Sequence, residues 1–175
     1  MRKFNLQLFA EPVQGKRIVY LFRIRENKAS ADGTIIALVT ENSRSASVDA
    51  DSTATKDGTI RTPGTPEVEI SSTSILAAED TMIPALEEAM LNNKLVECWE
   101  ANLDEPADDS STKFAGRYYQ GYITSFEKTS NAEDMVEISI DYGANGSGVA
   151  GDVTVSAEQQ AAAAYQFEDA VKTGA

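Results

Sequence analysis

A chain of 175 residues, 42% of them hydrophobic, is long enough to bury one ordinary core. It carries 15 Lys+Arg against 28 Asp+Glu, a net charge of −13, with no histidine and a single cysteine. Catalysis through Ser-His-Asp or Cys-His pairs, zinc helices built on histidine, internal disulfides and Cys-x-x-Cys sites are thereby excluded. An acidic surface also argues against phosphate-backbone binding as the main activity, and no apolar run is long enough to span a bilayer.

The charge is polarised. Residues 1–28 hold seven Lys/Arg and two acids, whereas the remaining 147 hold eight Lys/Arg and 26 acids. Such asymmetry suits a protein that packs head to tail on its own copies, and equally a random surface distribution. The opening, Met1 to Ala10, has a short apolar stretch broken by Asn5 and Gln7 and followed by Glu11-Pro12. It reads as an amphipathic arm over residues 1–15, not a secretion signal.

Lys16–Arg25 alternates, with Ile18, Tyr20, Phe22 and Ile24 on one face and Arg17, Arg23 and Arg25 on the other, which predicts a strand. Asp32-Gly33 signals a turn, and Thr34–Thr40, apolar on both faces, predicts a central covered strand. From Thr40 to Ser74, fourteen of 35 residues are Ser or Thr and few are large and apolar before Val68. Residues 40–66 are therefore expected to form a long extended loop ordered on a partner, returning as a strand through Val68, Ile70 and Ser72.

Glu79–Asn93 carries an apolar stripe of Met82, Leu86, Ala89 and Met90, with Asp80 or Thr81 as cap and Pro84 in the first turn. This is the clearest helix, and its stripe reads as core. Strands are predicted at Leu95–Leu103, Arg117–Lys128, Met135–Tyr142 and Asp152–Val155, with an acidic loop over Asp104–Ser111 and a glycine-rich turn over Gly143–Gly151. In Met135–Tyr142, Val136, Ile138 and Ile140 alternate with Glu137, Ser139 and Asp141. Ser156-Ala-Glu-Gln159 is a capping-box start to an Ala-rich helix, and periodicity leaves Tyr165–Phe167 open between helix and strand. The sum is one mostly β domain over residues 16–175, including the C-terminal segment 156–175: an antiparallel β-sandwich or barrel with a flanking α-helix and a long extended loop.

Apparent motifs dissolve on inspection. Gly146-Ser-Gly-Val-Ala-Gly151 matches a dinucleotide-binding spacing, but a strand follows where a helix is required. Asp49-Ala-Asp51-Ser-Thr53 starts like a calcium loop yet has Ala54 and Ile60 at the Gly and Glu places. Ser110-Ser-Thr-Lys113 and Lys172-Thr-Gly174 imitate a penicillin-binding pair without its helix and strand setting. Glu97 and Glu100 flank Trp99, the one place where aromatic bulk could raise a carboxylate for glycosidase chemistry, and solvated strand residues are the simpler reading. Cys98 reads as a small buried hydrophobe. No catalytic residue, cofactor or metal is expected.

The runs Asp51-Ser-Thr-Ala-Thr-Lys-Asp-Gly-Thr-Ile-Arg-Thr-Pro-Gly64, Glu67–Ile75, Met90–Trp99, Gln120–Phe126, Asn131–Ser139 and Ser156–Asp169 together resemble the major tail proteins of long-tailed, non-contractile bacteriophages, of the type first defined in lactococcal phages. The likeness covers about Lys16 to Asp169. Phe4–Ala10 also looks like the start of several phage structural proteins. The resemblance implies the phage tail-tube fold and a structural virion subunit, made in the host cytoplasm and resident in the tail. It implies hexameric rings that stack into a tube whose lumen passes DNA without binding it specifically, with tape measure, tail terminator and distal tail proteins as partners. No membrane partner is expected. On this reading Glu137, Ser139 and Asp141 are expected to face the lumen. Arg17, Arg23, Arg25, Lys56, Asp57, Arg61, Asp104, Asp108 and Asp109 are expected at contacts between subunits. A tube protein of a contractile tail or related injection machine is the alternative, and a β-sandwich adhesin module the alternative of a different class.

Overall fold

A computed structural model of the chain describes residues 14–107 and 111–164. Eight strands and two helices follow in the order β1 (Ile18–Ile24), β2 (Thr34–Ile35), β3 (Val39–Thr55), β4 (Gly58–Ile75), α1 (Met82–Leu91), β5 (Val96–Pro106), β6 (Lys113–Thr129), β7 (Glu137–Ala144), β8 (Val149–Thr154) and α2 (Ala157–Ala164). All strand pairs are antiparallel, and the sheet order is β2-β1-β5-β6-β7-β4-β3, with β8 paired to β6 beside the start of that strand. This is the mostly β architecture read from the sequence, with α2 as a second helix.

One sheet makes both layers because β6 changes partners along its length. Its first half lies between β5 and β8; from Gly121 onward it pairs with β7. A Cβ on Gly121 would stand 2.0 Å from the Gly143 carbonyl oxygen, so the closeness of β6 and β7 at this corner requires glycine. The sheet folds back over one main core that draws Phe22, Ile70, Val96, Tyr119, Ile138, Ile140 and Tyr142 from both layers. Arg44 of β3 confirms the closure: its Nε reaches Glu100 of β5 at 2.7 Å, although three strands separate the two in sheet order. Tyr20 donates its hydroxyl to the same carboxylate at 3.0 Å.

Helix α1 closes the core with Ile83, Leu86 and Ala89, three residues apart on one side. Asp80 is its cap: Oδ1 accepts the Met82 and Ile83 N–H groups, and Oδ2 accepts that of Ala37. A smaller cluster on the opposite sheet face gathers Val19, Leu21, Leu103, Phe114, Val153 and Val155, with Ala163 of α2 against it. The capping box that starts α2 is formed, with Gln159 N–H to Ser156 Oγ at 3.2 Å and Ser156 N–H to Gln159 Oε1 at 3.0 Å.

Two expectations are corrected. Thr34–Thr40 is not one central strand: Thr34–Ile35 pair with β1 at the sheet edge, Val39–Thr40 already begin β3, and between them Leu38 takes a left-handed φ of 50° with most of its side chain exposed. The run is apolar on both faces because Ile36 enters the main core while Ile35 packs on the second cluster. Residues 40–66 are not a loop either. They form most of a β-ribbon in which β3 and β4 pair continuously from Val39↔Ser74 to Thr55↔Gly58, with irregularities near Thr40 and Asp49. A ladder needs backbone groups and extended residues, not apolar ones, and Thr suits it. Tyr165–Phe167 lies outside the described residues.

Candidate functional site

The half of the sheet formed by β6 after Gly121, β7, β4 and β3 carries a sorted charge pattern. Cross-strand register places Glu41 opposite Thr73, Glu67 opposite Ser47, Thr73 opposite Ser139, and Asp141 between Ser71 and Ser125. Glu127 pairs with Ser139, and Glu137 lies between Ile75 and Thr129. Glu41, Glu67, Glu69, Glu127, Glu137 and Asp141 thus share the face turned away from the core, filled out by Ser and Thr. The basic residues Arg44 and Lys128 alternate to the other face. Ser71 donates to Asp141 at 2.6 Å, which fixes that carboxylate against the sheet. Glu137, Ser139 and Asp141 therefore stand together, as the alternation of β7 required. Glu41, Glu67, Glu69 and Glu127 were missed because only pairing aligns four separate strands into one surface.

This four-stranded unit has two open edges among the described residues. On one side β3 pairs only with β4; on the other, Tyr122–Thr129 of β6 pair only with β7, since β5 leaves off at Gly121. Beyond its root the β3–β4 ribbon projects with every residue from Ser43 to Glu67 exposed, Val48 and Ile60 included. Lys56, Asp57 and Arg61 stand at its far end. Long open edges are templates for pairing with another chain.

The arginines expected at contacts between subunits each have a partner within their own chain. Arg17 Nε meets Asp104 Oδ1 at 2.7 Å. Arg23 Nη2 meets Glu97 Oε2 at 2.7 Å, Arg25 Nη1 bonds Glu97 Oε1, and Tyr118 donates to the same oxygen at 2.5 Å. Arg23 also lies 4.8 Å from the Trp99 ring centroid. Burial by itself would raise the Glu97 pKa; the Tyr118 hydroxyl and the two guanidiniums outweigh it and hold the carboxyl below its ordinary range. Glu97 is 1% exposed and is therefore a structural anion and not a solvated strand residue. Trp99 signalled aromatic bulk beside it, but only the fold shows the arginines on the same face. Asp108 and Asp109 lie outside the described residues.

Burial and the nearby Glu100 carboxylate push the Cys98 thiol well above its usual range. Among the described residues no cluster of three or more metal-ligating side chains occurs.

The model of a family described as phage tail tube protein matches residues 12–150. A protein assigned to the tail of Staphylococcus phage phiMR25 is 30% identical over 161 residues, covering 90% of this chain and 82% of that one. Among solved structures, the fold is similar to the SPP1 tail tube (TM-score 0.69, 20% identity, 94% of this chain and 95% of that chain). It is also similar to a chain in the tail of an empty gene transfer agent particle refined with C6 symmetry (TM-score 0.58, 13% identity, 82% and 98%). A third likeness is to a chain in the sheath–tube complex of an extracellular contractile injection system (TM-score 0.53, 13% identity, 82% and 93%). Rolled sheet, one-signed face, open edges and family match agree: the chain belongs to the phage tail tube protein family and is a structural subunit of a virion tail.

Proposed function

We propose that six copies close into a ring by pairing the open edge of β3 in one subunit with the open edge of β6 in the next, and that stacked rings conduct DNA through a lumen lined by the acidic face. The observation that carries this reading is the four-stranded unit with two free edges and one-signed charge. Because the unit has an even number of antiparallel strands, β3 meets the next subunit's β6 antiparallel in a head-to-tail ring. Such a contact is heterologous and closes when the rotation closes. Six units give 24 strands; at about 4.8 Å per strand and a tilt near 40°, the barrel is roughly 45–50 Å across between backbones. That leaves a bore wider than a DNA duplex after side chains are placed.

An acidic wall suits this cargo. Each Lys or Arg on a phosphate releases counterions and strengthens non-specific binding, which would brake sliding; carboxylates on Ser- and Thr-rich strands do the opposite. The projecting ribbon then lies on a neighbouring subunit or ring, where Lys56, Asp57 and Arg61 find partners. The tube acts without catalysis, assembles in the host cytoplasm, forms around a tape measure protein, and ends on terminator and distal tail proteins. A non-contractile tail is favoured by the resemblance of the sequence to the major tail proteins of non-contractile phages; the family model and the identified relative support a phage tail. Electron microscopy of the concentrated protein tests the whole: rings or hollow filaments with six-fold symmetry are expected, naked in the virion. Particles that stay monomeric overturn the tube, and a sheathed virion tail overturns the non-contractile reading.

A further inference from the structure

The turn between β7 and β8 holds Asn145-Gly146, and no other asparagine of the chain precedes a glycine. Both residues are exposed. The Asn145 N–H is anchored on the Gln120 carbonyl at 2.7 Å, which fixes the turn on its β7 side. On the other side Arg117 Nη1 donates to the Ser147 carbonyl at 3.2 Å, and Gly148 lies against the Tyr119 ring, where a Cβ would come within 2.4 Å. Gly146 sits between these anchors and is held by neither. Its φ of 80° favours glycine, and a Cβ there would meet nothing within 4 Å. Among the described residues its N–H has no hydrogen-bond acceptor. A side-chain amide and an unshielded backbone nitrogen therefore stand next to each other in water.

We propose that Asn145 is a site of spontaneous deamidation in the folded chain. The Gly146 nitrogen, deprotonated by hydroxide, attacks Asn145 Cγ; the new C–N bond closes a cyclic imide as the Cγ–Nδ2 bond breaks and ammonia leaves with a proton. Water then opens the imide at one of its two carbonyls. Opening at Cγ gives aspartate at position 145, and opening at the backbone carbonyl gives the β-linked isomer. The net change is one amide and one water to one carboxylate and ammonium, with nothing oxidised or reduced. Glycine matters because a Cβ on the following residue would crowd the attacking nitrogen. Asp57-Gly58 at the ribbon tip offers the same glycine but a carboxylate, a poorer acyl group, and its Gly58 is paired with Thr55 in the ladder.

Either product is ionised at neutral pH. Glu137, Ser139, Asp141 and Gly143 occupy alternate positions of β7, and Asn145 is the next in that alternation, one residue past the Ala144↔Val68 pair. Continued register sets it opposite Glu67. The new carboxylate thus extends the acidic face at its Glu67 end. This consequence rests on the tube reading: a ring of six would gain up to six negative charges on its lumen wall as the particle ages.

The chemistry is tested on the purified chain. Folded and urea-unfolded samples are incubated side by side at mildly alkaline pH in heavy-oxygen water, and their peptides are followed by mass spectrometry. The Asn145 peptide should exchange NH2 for one heavy-oxygen OH roughly tenfold or more faster than any other asparagine. Its rate in the folded chain should stay within about threefold of the unfolded rate, because the turn leaves the nitrogen open. An Asn145 that stays intact in the folded chain overturns the proposal, whether or not the unfolded chain reacts. Asn145→Gln, which keeps the amide but lengthens the side chain, should not accumulate the acidic species that the natural chain shows on ion exchange; the same acidic species at the same rate would place the modification elsewhere and overturn the assignment. Deamidation in a chain that never forms rings would leave the modification standing and remove its effect on the tube wall; rings whose Asn145 stays intact would do the reverse.

Discussion

At the residue scale, the buried Glu97 is the most consequential side chain. It binds two guanidiniums and a phenol while almost wholly removed from water, and a buried charge stripped of its partner costs several kcal/mol. Glu97→Gln leaves Arg23 and Arg25 facing a neutral amide. The low end of that range applies, about 3 kcal/mol, because Arg25 is partly open to water, so the melting temperature should fall by roughly 6–12 °C. The sign of the pH dependence follows from the depressed carboxyl. Its contribution is complete above the unfolded value of 4.5 and is lost as pH falls from there through the lower folded value. The variant, already without it, should show a shallower acid limb in unfolding curves; equal slopes would refute the assignment. Cys98, fully buried with a raised pKa, should react with an aromatic disulfide reagent only at the rate of unfolding. Fast labelling of the native chain would show that the thiol is open.

At the element scale, the β3–β4 ribbon divides in two. Near its root, β4 is anchored by Val68, Ile70, Ser72 and Ser74, all buried, and by pairing to β7 over Val68–Ile75. From Val48 to Pro66 the ribbon has cross-strand hydrogen bonds and no buried side chain, and a lone two-stranded hairpin is marginal in water. Amides from Asp49 to Thr65 should therefore exchange rapidly in the free subunit and slowly in the tube, whereas Ile70 and Ser72 should be protected in both. Equal protection of the ribbon in both states would show that it is stable without a neighbour. The tip of the ribbon is a tight turn in which Lys56-Asp57 link the strands and Gly58, at a φ of 138°, takes a backbone state other residues avoid.

At the scale of the whole molecule, the sorting of charge between sheet faces is what would couple fold to transport in the proposed tube. Glu137→Lys with Asp141→Lys reverses two carboxylates on the proposed lumen wall without touching Ile138, Ile140 or Tyr142, which hold β7 to the core. Tubes should still form. Twelve positive charges would then stand in every ring of six, and DNA ejection should slow most at low salt, recovering as ionic strength rises. Normal ejection at low salt, or a tube map with Glu137 on the outer wall, would refute the lumen assignment.

Alternation along single segments determined a large part of this protein. The apolar faces of β1 and β7, the buried stripe of α1 and the outward set Glu137, Ser139 and Asp141 follow from periods of 2.0 and 3.6 residues, and the Ser156 capping box from residue types three apart, all local properties of the chain. The resemblance of those segments to tail proteins identified the family. Local patterns do not report partners distant in sequence. Ser- and Thr-rich residues 40–66 looked like a loop because their ladder is satisfied by backbone groups. The run Thr34–Thr40 looked central because its two faces serve two separate clusters. Arg23 and Arg25 showed no partner in the sequence because Glu97, more than seventy residues away, comes beside them only when β1 pairs with β5. Tertiary structure alone decided which strand edges stay open and which carboxylates share a face, because both depend on the register between strands and on the turn of β6 at Gly121.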